Sequence, residues 1–293
     1  MLSDMTLDPE ISHRQSLVQA YEQAIAQGMA YDVGNDDFAE IAYWYITHQH
    51  PEKAILVMDY ALKLRPGDVD LLIQKSYICF EQGDIKGAWR ACRCIKEIND
   101  EVRVLQFTLL ITEGKIDQAE TVLETLENPD NIEQIIYVAS TYSRLGHPDK
   151  ALAIYETYKE TGIHHEAFAF EYICTLGETG HEKQAIELLE RLIDQSPYQG
   201  KYWAELAVLQ YHVGCIDKAI KAIDFAITAD PGNSIYYLSR ATYYNELGNY
   251  EKALENIRQG QELGIDNADT MQMLDEFCEL LSQKMAEDTS IFN

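Results

Sequence analysis

Apolar side chains recur at three- and four-residue steps along most of the chain, in stretches of about a dozen residues broken by glycine. The stretch from Tyr202 to Val213 and the one from Ile216 to Ala226 each carry a single apolar stripe, which predicts two amphipathic helices. Gly214 stands between them. A glycine there ends the first helix in the left-handed conformation, which costs a residue with a Cβ about 1 kcal/mol or more. Asp217 and Lys218 then open the second helix. Ala207 and Ala219 are predicted to face each other across the antiparallel pair, where methyl groups let the axes approach to roughly 8–10 Å.

This unit repeats. Alanine recurs at positions 54, 88, 119, 151, 185, 219 and 253, and from Gly83 onward a glycine lies five residues earlier each time: Gly83, Gly114, Gly146, Gly180, Gly214 and Gly248. The last three alanine intervals are 34 residues. A fixed period of this size predicts an array of stacked helix pairs, an α-solenoid, in which each repeat contacts its neighbours.

Around each glycine the residues resemble a tetratricopeptide repeat (TPR). That family's pattern has a bulky residue eleven before the glycine, a small one seven before, an aromatic or aliphatic one four before, alanine five after, an apolar residue nine after and a small one twelve after. Trp203, Ala207, Ala219, Ile223 and Ala226 meet it, with Pro231 closing the repeat and Gln210 departing. So do Tyr237, Ala241, Tyr244, Ala253, Ile257 and Gly260. Ile135, Ala139, Tyr142, Ala151 and Tyr155 fit as well, with Tyr158 at the small position. The first repeat has Gln49 in place of glycine but keeps Phe38, Ala42, Tyr45, Ala54, Met58, Ala61 and Pro66. The second is intermediate, with Leu72, Ser76 and Cys79. The third puts Arg103 and Phe107, and the fifth Ala169 and Ile173, at the bulky and small positions, so their helix contacts are expected to differ. The resemblance implies an all-α right-handed superhelix of seven repeats, at about 35–68, 69–99, 100–131, 132–165, 166–199, 200–233 and 234–266.

The alanine spacing shrinks to 31 between Ala88 and Ala119 and to 32 between Ala119 and Ala151. The glycine-to-alanine distance is unchanged there, so the shortening is expected in the connections, with an irregular step of the superhelix near residues 98–131. Residues 1–34 are read as an N-terminal capping helix, starting at Asp8-Pro9-Glu10. The stripe of Met271, Leu274, Phe277, Cys278 and Leu281 predicts a C-terminal capping helix over 267–286, followed by a loose tail over 287–293.

Charge and cysteines narrow the function classes. Lys and Arg number 23 and Asp and Glu 49, a net charge of −26. Such a chain repels nucleic-acid phosphate and anionic lipid, because counterion release requires a cationic patch. No apolar run reaches the length of about 18 residues that a membrane span needs, and Met1 to Ser12 lacks the features of a secretory signal. A cytoplasmic location is expected. The six cysteines, Cys79, Cys92, Cys94, Cys174, Cys215 and Cys278, show no paired spacing and are read as reduced thiols. His48-Gln49-His50, His164-His165 and the Cys92/Cys94 pair lack metal-site spacing, and no phosphate loop or nucleophile motif is visible. The repeats also leave no room for a catalytic domain. No enzyme activity, cofactor or metal is expected.

In TPR arrays the first helix of each pair lines the concave face. Carried over by register, the resemblance implies a peptide-binding groove of Asp36, Glu40, Tyr43, Asp70, Tyr77, Phe80 and Glu81 in the first two repeats. Glu101, Glu133 and Tyr137 continue it, followed by Phe170, Glu171, Glu178, Lys201, Glu205, Tyr211 and Glu246. Arg144 and Lys201 are the permanently basic members of this wall. Carboxylates beside aromatic faces suit Lys or Arg side chains, each contact giving roughly 0.5–2 kcal/mol. The TPR domains that grip chaperone C-termini use Lys, Arg and Asn at positions that here hold residues such as Tyr43, Tyr77, Thr108, Ser140, Cys174, Val208 and Thr242. A carboxylate terminus would find no cationic clamp. The expected function is a non-enzymatic scaffold, a monomer or weak homo-oligomer, that binds a basic protein or peptide segment. The alternatives are a peptide-sensing regulator and a self-associating structural module.

Overall fold

A computed structural model describes residues 9–264, 274 and 277–284, with side chains from 13 onward, and all the regular structure among them is helical. The chain divides into two compact units between Gln134 and Ile135. The first contains α1 (Pro9–Ala26), α2 (Asn35–Thr47), α3 (Pro51–Leu64), α4 (Val69–Glu81), α5 (Ile85–Cys92), α6 (Asp100–Thr112) and α7 (Ile116–Leu123). The second takes most of α8 (Ile132–Arg144), then α9 (Pro148–Gly162), α10 (Glu166–Glu178), α11 (Glu182–Gln195), α12 (Gly200–His212), α13 (Ile216–Ala229), α14 (Ser234–Glu246) and α15 (Tyr250–Glu262). Within the first unit each helix packs on the next, and the same holds from α9 to α15 in the second. First helices of neighbouring repeats also touch, α2 with α4, α4 with α6 and α10 with α12.

The glycines and alanines explain the pairing. The six repeat glycines have φ between +70° and +85°, and Gln49 is the one residue other than glycine with positive φ among the described residues, at 63°. At Gly214 the N–H groups of Gly214 and Cys215 bond the carbonyls of Tyr211 and Gln210 at 2.9 and 2.8 Å, and at Gln49 those of Gln49 and His50 bond Ile46 and Tyr45 at 3.1 and 2.8 Å. This double bond pattern turns the chain back at once and satisfies the last carbonyls of the first helix. The second helix therefore starts in contact with the first, and the seven repeat alanines are all 0% exposed. Where the facing small residue is Ser76, its hydroxyl donates to the carbonyl of Ala88 at 2.8 Å.

A second periodic contact joins successive repeats. Lys75 pairs with Asp59, Tyr172 donates to Glu156 and Arg240 pairs with Asp224, each link spanning sixteen residues from a second helix to the following first helix. Arg240 also donates to the buried Asn256 at 2.7 Å, tying three helices together.

The irregular part of the array is in the second helices. α5 and α7 have eight residues each, against thirteen to fifteen in α3, α9, α11, α13 and α15. The connections after them, 93–99 and 124–131, are longer than the three or four residues between the other repeats. The short alanine intervals thus arise from truncated helices offset by longer loops, not from shortened connections. In the third repeat Asp100 holds such a loop: its carboxylate accepts the N–H groups of Glu127 and Asn128, both at 2.8 Å, and Arg103 at 2.9 Å. Arg103 reaches Glu127 as well, at 3.0 Å. The residue that breaks the bulky pattern therefore fastens the loop that replaces half a helix. Phe107 and Ile173, at the small positions, are 0% and 1% exposed, so these repeats bury the larger side chains.

At the N-terminal end α1 covers α2 and α3 with aromatic contacts. Tyr21 meets Tyr31 and Tyr60 edge-on at 5.8 Å, and the Tyr60 hydroxyl accepts the Tyr31 N–H at 2.8 Å. At the other end Leu281, 0% exposed, packs with Ala241, Ala253, Leu254 and Ile257, and residues 277–284 are helical. The remainder of the segment expected as a closing helix, and the tail over 287–293, lie outside the described residues.

Candidate functional site

The period of 34 puts Glu171 and Glu205 at the same register on α10 and α12, and helical spacing adds Cys174 and Glu178 to the Glu171 face of α10. Gly177 lets α12 come close: a Cβ there would lie 2.7 Å from Cδ2 of Leu209 and 3.9 Å from Oε1 of Glu205. The outcome is a half-buried pair, Glu171 and Glu205, with the exposed Glu178 as a charged neighbour of both on the first-helix face of the second unit. Burial, then the nearby Glu178, pushes the Glu171 carboxyl above the usual range, with Lys201 opposing. Burial and Glu178 raise Glu205 too, against a hydrogen bond that the Cys174 thiol donates to it. Burial, followed by Glu205, Glu171 and Glu178, drives the Cys174 thiol strongly up, so it stays protonated at neutral pH.

Two tyrosines complete the site. Tyr155 of α9 is 0% exposed and packs edge-on against Phe168 at 5.0 Å, yet its hydroxyl has no hydrogen-bond partner. Burial, followed by the neighbouring Glu171, Cys174 and Glu178, pushes the pKa of that hydroxyl up. From α14, Tyr243 stacks near Tyr211 at 5.1 Å, and its hydroxyl is pushed up to about 12 by burial and by Glu205. Lys201 lies over the rings of Phe170 and Tyr202, 5.0 and 5.2 Å from their centroids, and 3.9 Å from Glu166. The cluster offers negative charge and aromatic faces to a cation.

The other sequence-derived groove residues are spread out. Asp36, Asp70, Glu101 and Glu133 are exposed in the first turns of α2, α4, α6 and α8, where their charge suits the helix dipole. Glu81 and Glu246 are exposed at helix ends. Tyr77 and Phe80 are half-buried against the core of repeats two and three, and Tyr137 is half-buried on α8. Glu40 and Tyr43 are engaged within the chain: Arg14 of α1 pairs with the Glu40 carboxylate and lies 5.2 Å from the Tyr43 ring centroid. Reading by register missed Tyr155, Cys174 and Tyr243 as members of the cluster. Tyr155 comes from a second helix and Tyr243 falls outside the register positions taken for the groove wall, whereas Cys174, six before Gly180, is at a register position but reads only as a reduced thiol.

Residues 213–268 match the family model described as Tetratricopeptide repeat. A crystal structure of a tetratricopeptide repeat protein from Parabacteroides merdae ATCC 43184 superposes with a TM-score of 0.60 at 16% identity, over 84% of this chain and 98% of that one. Its fold is the tetratricopeptide repeat. Crystal structures of MamA also align, one at 20% identity and a TM-score of 0.43 over 64% of this chain and 93% of that one, another at 19% and 0.41 over 66% and 90%. No curated protein matches in sequence.

Seen as a TPR, the fifth repeat has exchanged two sizes. The pattern's bulky position, eleven before Gly180, holds Ala169, and the small position, twelve after, holds Leu192. In the next TPR the same positions hold Trp203 and Ala226. Alanine plus leucine fill less space than tryptophan plus alanine, and a cleft of about 490 Å³ opens beside Ala169, Ile173, Leu188 and Leu192. Among the described residues no helix is long and apolar enough to cross a membrane, and no group of three or more His, Cys, Asp or Glu side chains is placed to hold a metal ion.

Proposed function

We propose that this chain is a non-catalytic scaffold that holds a basic protein segment on its first-helix faces, with Glu171, Glu178 and Glu205 receiving a lysine or arginine side chain. The observation that carries this reading is the carboxylate cluster. Two half-buried carboxyls that resist ionisation lie beside the exposed Glu178, and a buried tyrosine hydroxyl next to them lacks a partner. A cation entering would relieve the repulsion and strengthen with each charge desolvated. Arg14 against Glu40 and Tyr43 supports it by example, since there the chain itself presents a guanidinium to a carboxylate and an aromatic ring.

Fluorescence anisotropy with a labelled lysine-rich peptide and an acidic control peptide tests the reading. The basic peptide is expected to bind, more weakly as salt rises. Replacing Glu171 and Glu205 together by Gln is expected to weaken it about tenfold, the equivalent of about 1.4 kcal/mol. Binding lowers the raised carboxyls back toward their ordinary range, so affinity is expected to increase as pH rises through them. Equal capture of the acidic peptide, or no loss in the double variant, would refute the proposal.

A further inference from the structure

The cleft of the fifth repeat lies on the face of α10 opposite to the carboxylate cluster: Glu166, Ala169 and Ile173 share one side of the helix, Glu171, Cys174 and Glu178 the other. Its floor is apolar, and its volume of about 490 Å³ is within the range of small-molecule sites. The charges around it are unequal. Glu166 is satisfied, accepting the Tyr202 hydroxyl and facing Lys201 at 3.9 Å. Arg191 is exposed at the rim and has no ion pair among the described residues, whereas Arg65, Arg103 and Arg240 each face a carboxylate. Arg191 is the arginine that borders this apolar cleft. A guanidinium offers two parallel N–H donors to a carboxylate.

We propose that this cleft binds an aliphatic carboxylate, with the hydrocarbon against Ala169, Leu188 and Leu192 and the carboxylate at Arg191. The size exchange between Ala169 and Leu192 creates the space, and Arg191, one residue before Leu192, supplies the counter-charge. This site and the carboxylate cluster take ligands of opposite sign, so they stand or fall separately.

Titration calorimetry on the full chain with decanoate, with decanol and with a peptide ending in leucine is the test. Decanoate is expected to bind with one site. Decanol is expected to bind at least about tenfold more weakly, since it loses the charge-assisted bond. Arg191→Glu is expected to remove that difference. Ala169→Trp, which restores the residue type of the next repeat, is expected to abolish binding of both while helicity by circular dichroism is kept. If that variant does not fold, Ala169→Leu takes its place with a loss of at least about tenfold expected from the partly filled space. Binding of the leucine-ended peptide, lost in the same variants, would identify a chain terminus as the source of the carboxylate; binding of decanoate alone would identify a free acid. Absence of decanoate binding, or binding unaffected by Ala169→Trp or its substitute and by Arg191→Glu, would overturn the proposal.

Discussion

At Gln49 the chain adopts φ 63°, where every later repeat has glycine. The left-handed conformation costs a residue with a Cβ about 1–2 kcal/mol, and glycine returns part of this as unfolded-state entropy. Gln49→Gly is therefore expected to raise the unfolding free energy by about 0.5–1 kcal/mol in urea denaturation. Gly214→Ala is expected to lower it by about 1 kcal/mol through φ alone, since a Cβ there meets no atom within 4 Å. Charge at single residues makes a second forecast. The folded-state carboxyls of Glu171 and Glu205 lie above their ordinary value of 4.5, so their contribution favours the fold below that pH and is lost as pH rises through the raised values. Glu171→Gln with Glu205→Gln is expected to raise the denaturation midpoint at pH 7, with the gain vanishing near pH 4; an equal gain at both pH values would contradict the assignment. The thiols should differ as well. Exposed Cys94 is expected to react with a thiol reagent before Cys174, whose thiolate is disfavoured by burial and three carboxylates, as peptide mapping would show.

Among the elements, the loop that follows the short helix α7 is held by side chains of α6. Burial works against ionisation of Asp100, but the N–H groups of Glu127 and Asn128 and the Arg103 guanidinium hold its carboxyl below the ordinary range. Its stabilising contribution is therefore present above an ordinary value of 3.8 and lost as pH falls below it. Asp100→Ala is expected to speed hydrogen exchange of the Glu127 and Asn128 amides, leaving α4 unchanged; protection of those amides in the variant would show that other contacts hold the loop. The sixteen-residue links from Lys75, Tyr172 and Arg240 work at the same scale, since each fixes how a first helix sits on the second helix before it. The spacing of each link was present in the chain, but no single residue type marks the position, so it could be recognised only with the helices in place.

Over the whole molecule the net charge of −26 sets the background on which every local contact operates. Self-repulsion of this size opposes compactness and is screened by salt. The denaturation midpoint is expected to rise when monovalent salt goes from about 20 to about 200 mM, whereas binding of a basic peptide weakens over the same range; a midpoint that fell would point instead to ion pairs as the dominant surface term. Glycine at the turn, alanine at the crossing and the 34-residue period determined the helix pairs by themselves, because they encode local backbone geometry and the closest approach of adjacent helices. The same period brought Glu171 and Glu205 into register. Tertiary structure alone decided that these two are half-buried next to the exposed Glu178, that Tyr155 reaches them from a preceding second helix, and that Arg14 occupies Glu40 and Tyr43. It likewise decided that Ala169 and Leu192 leave a cleft. Burial, desolvation and unfilled volume depend on residues distant in sequence meeting at one place, and no periodicity of a single chain segment contains that information.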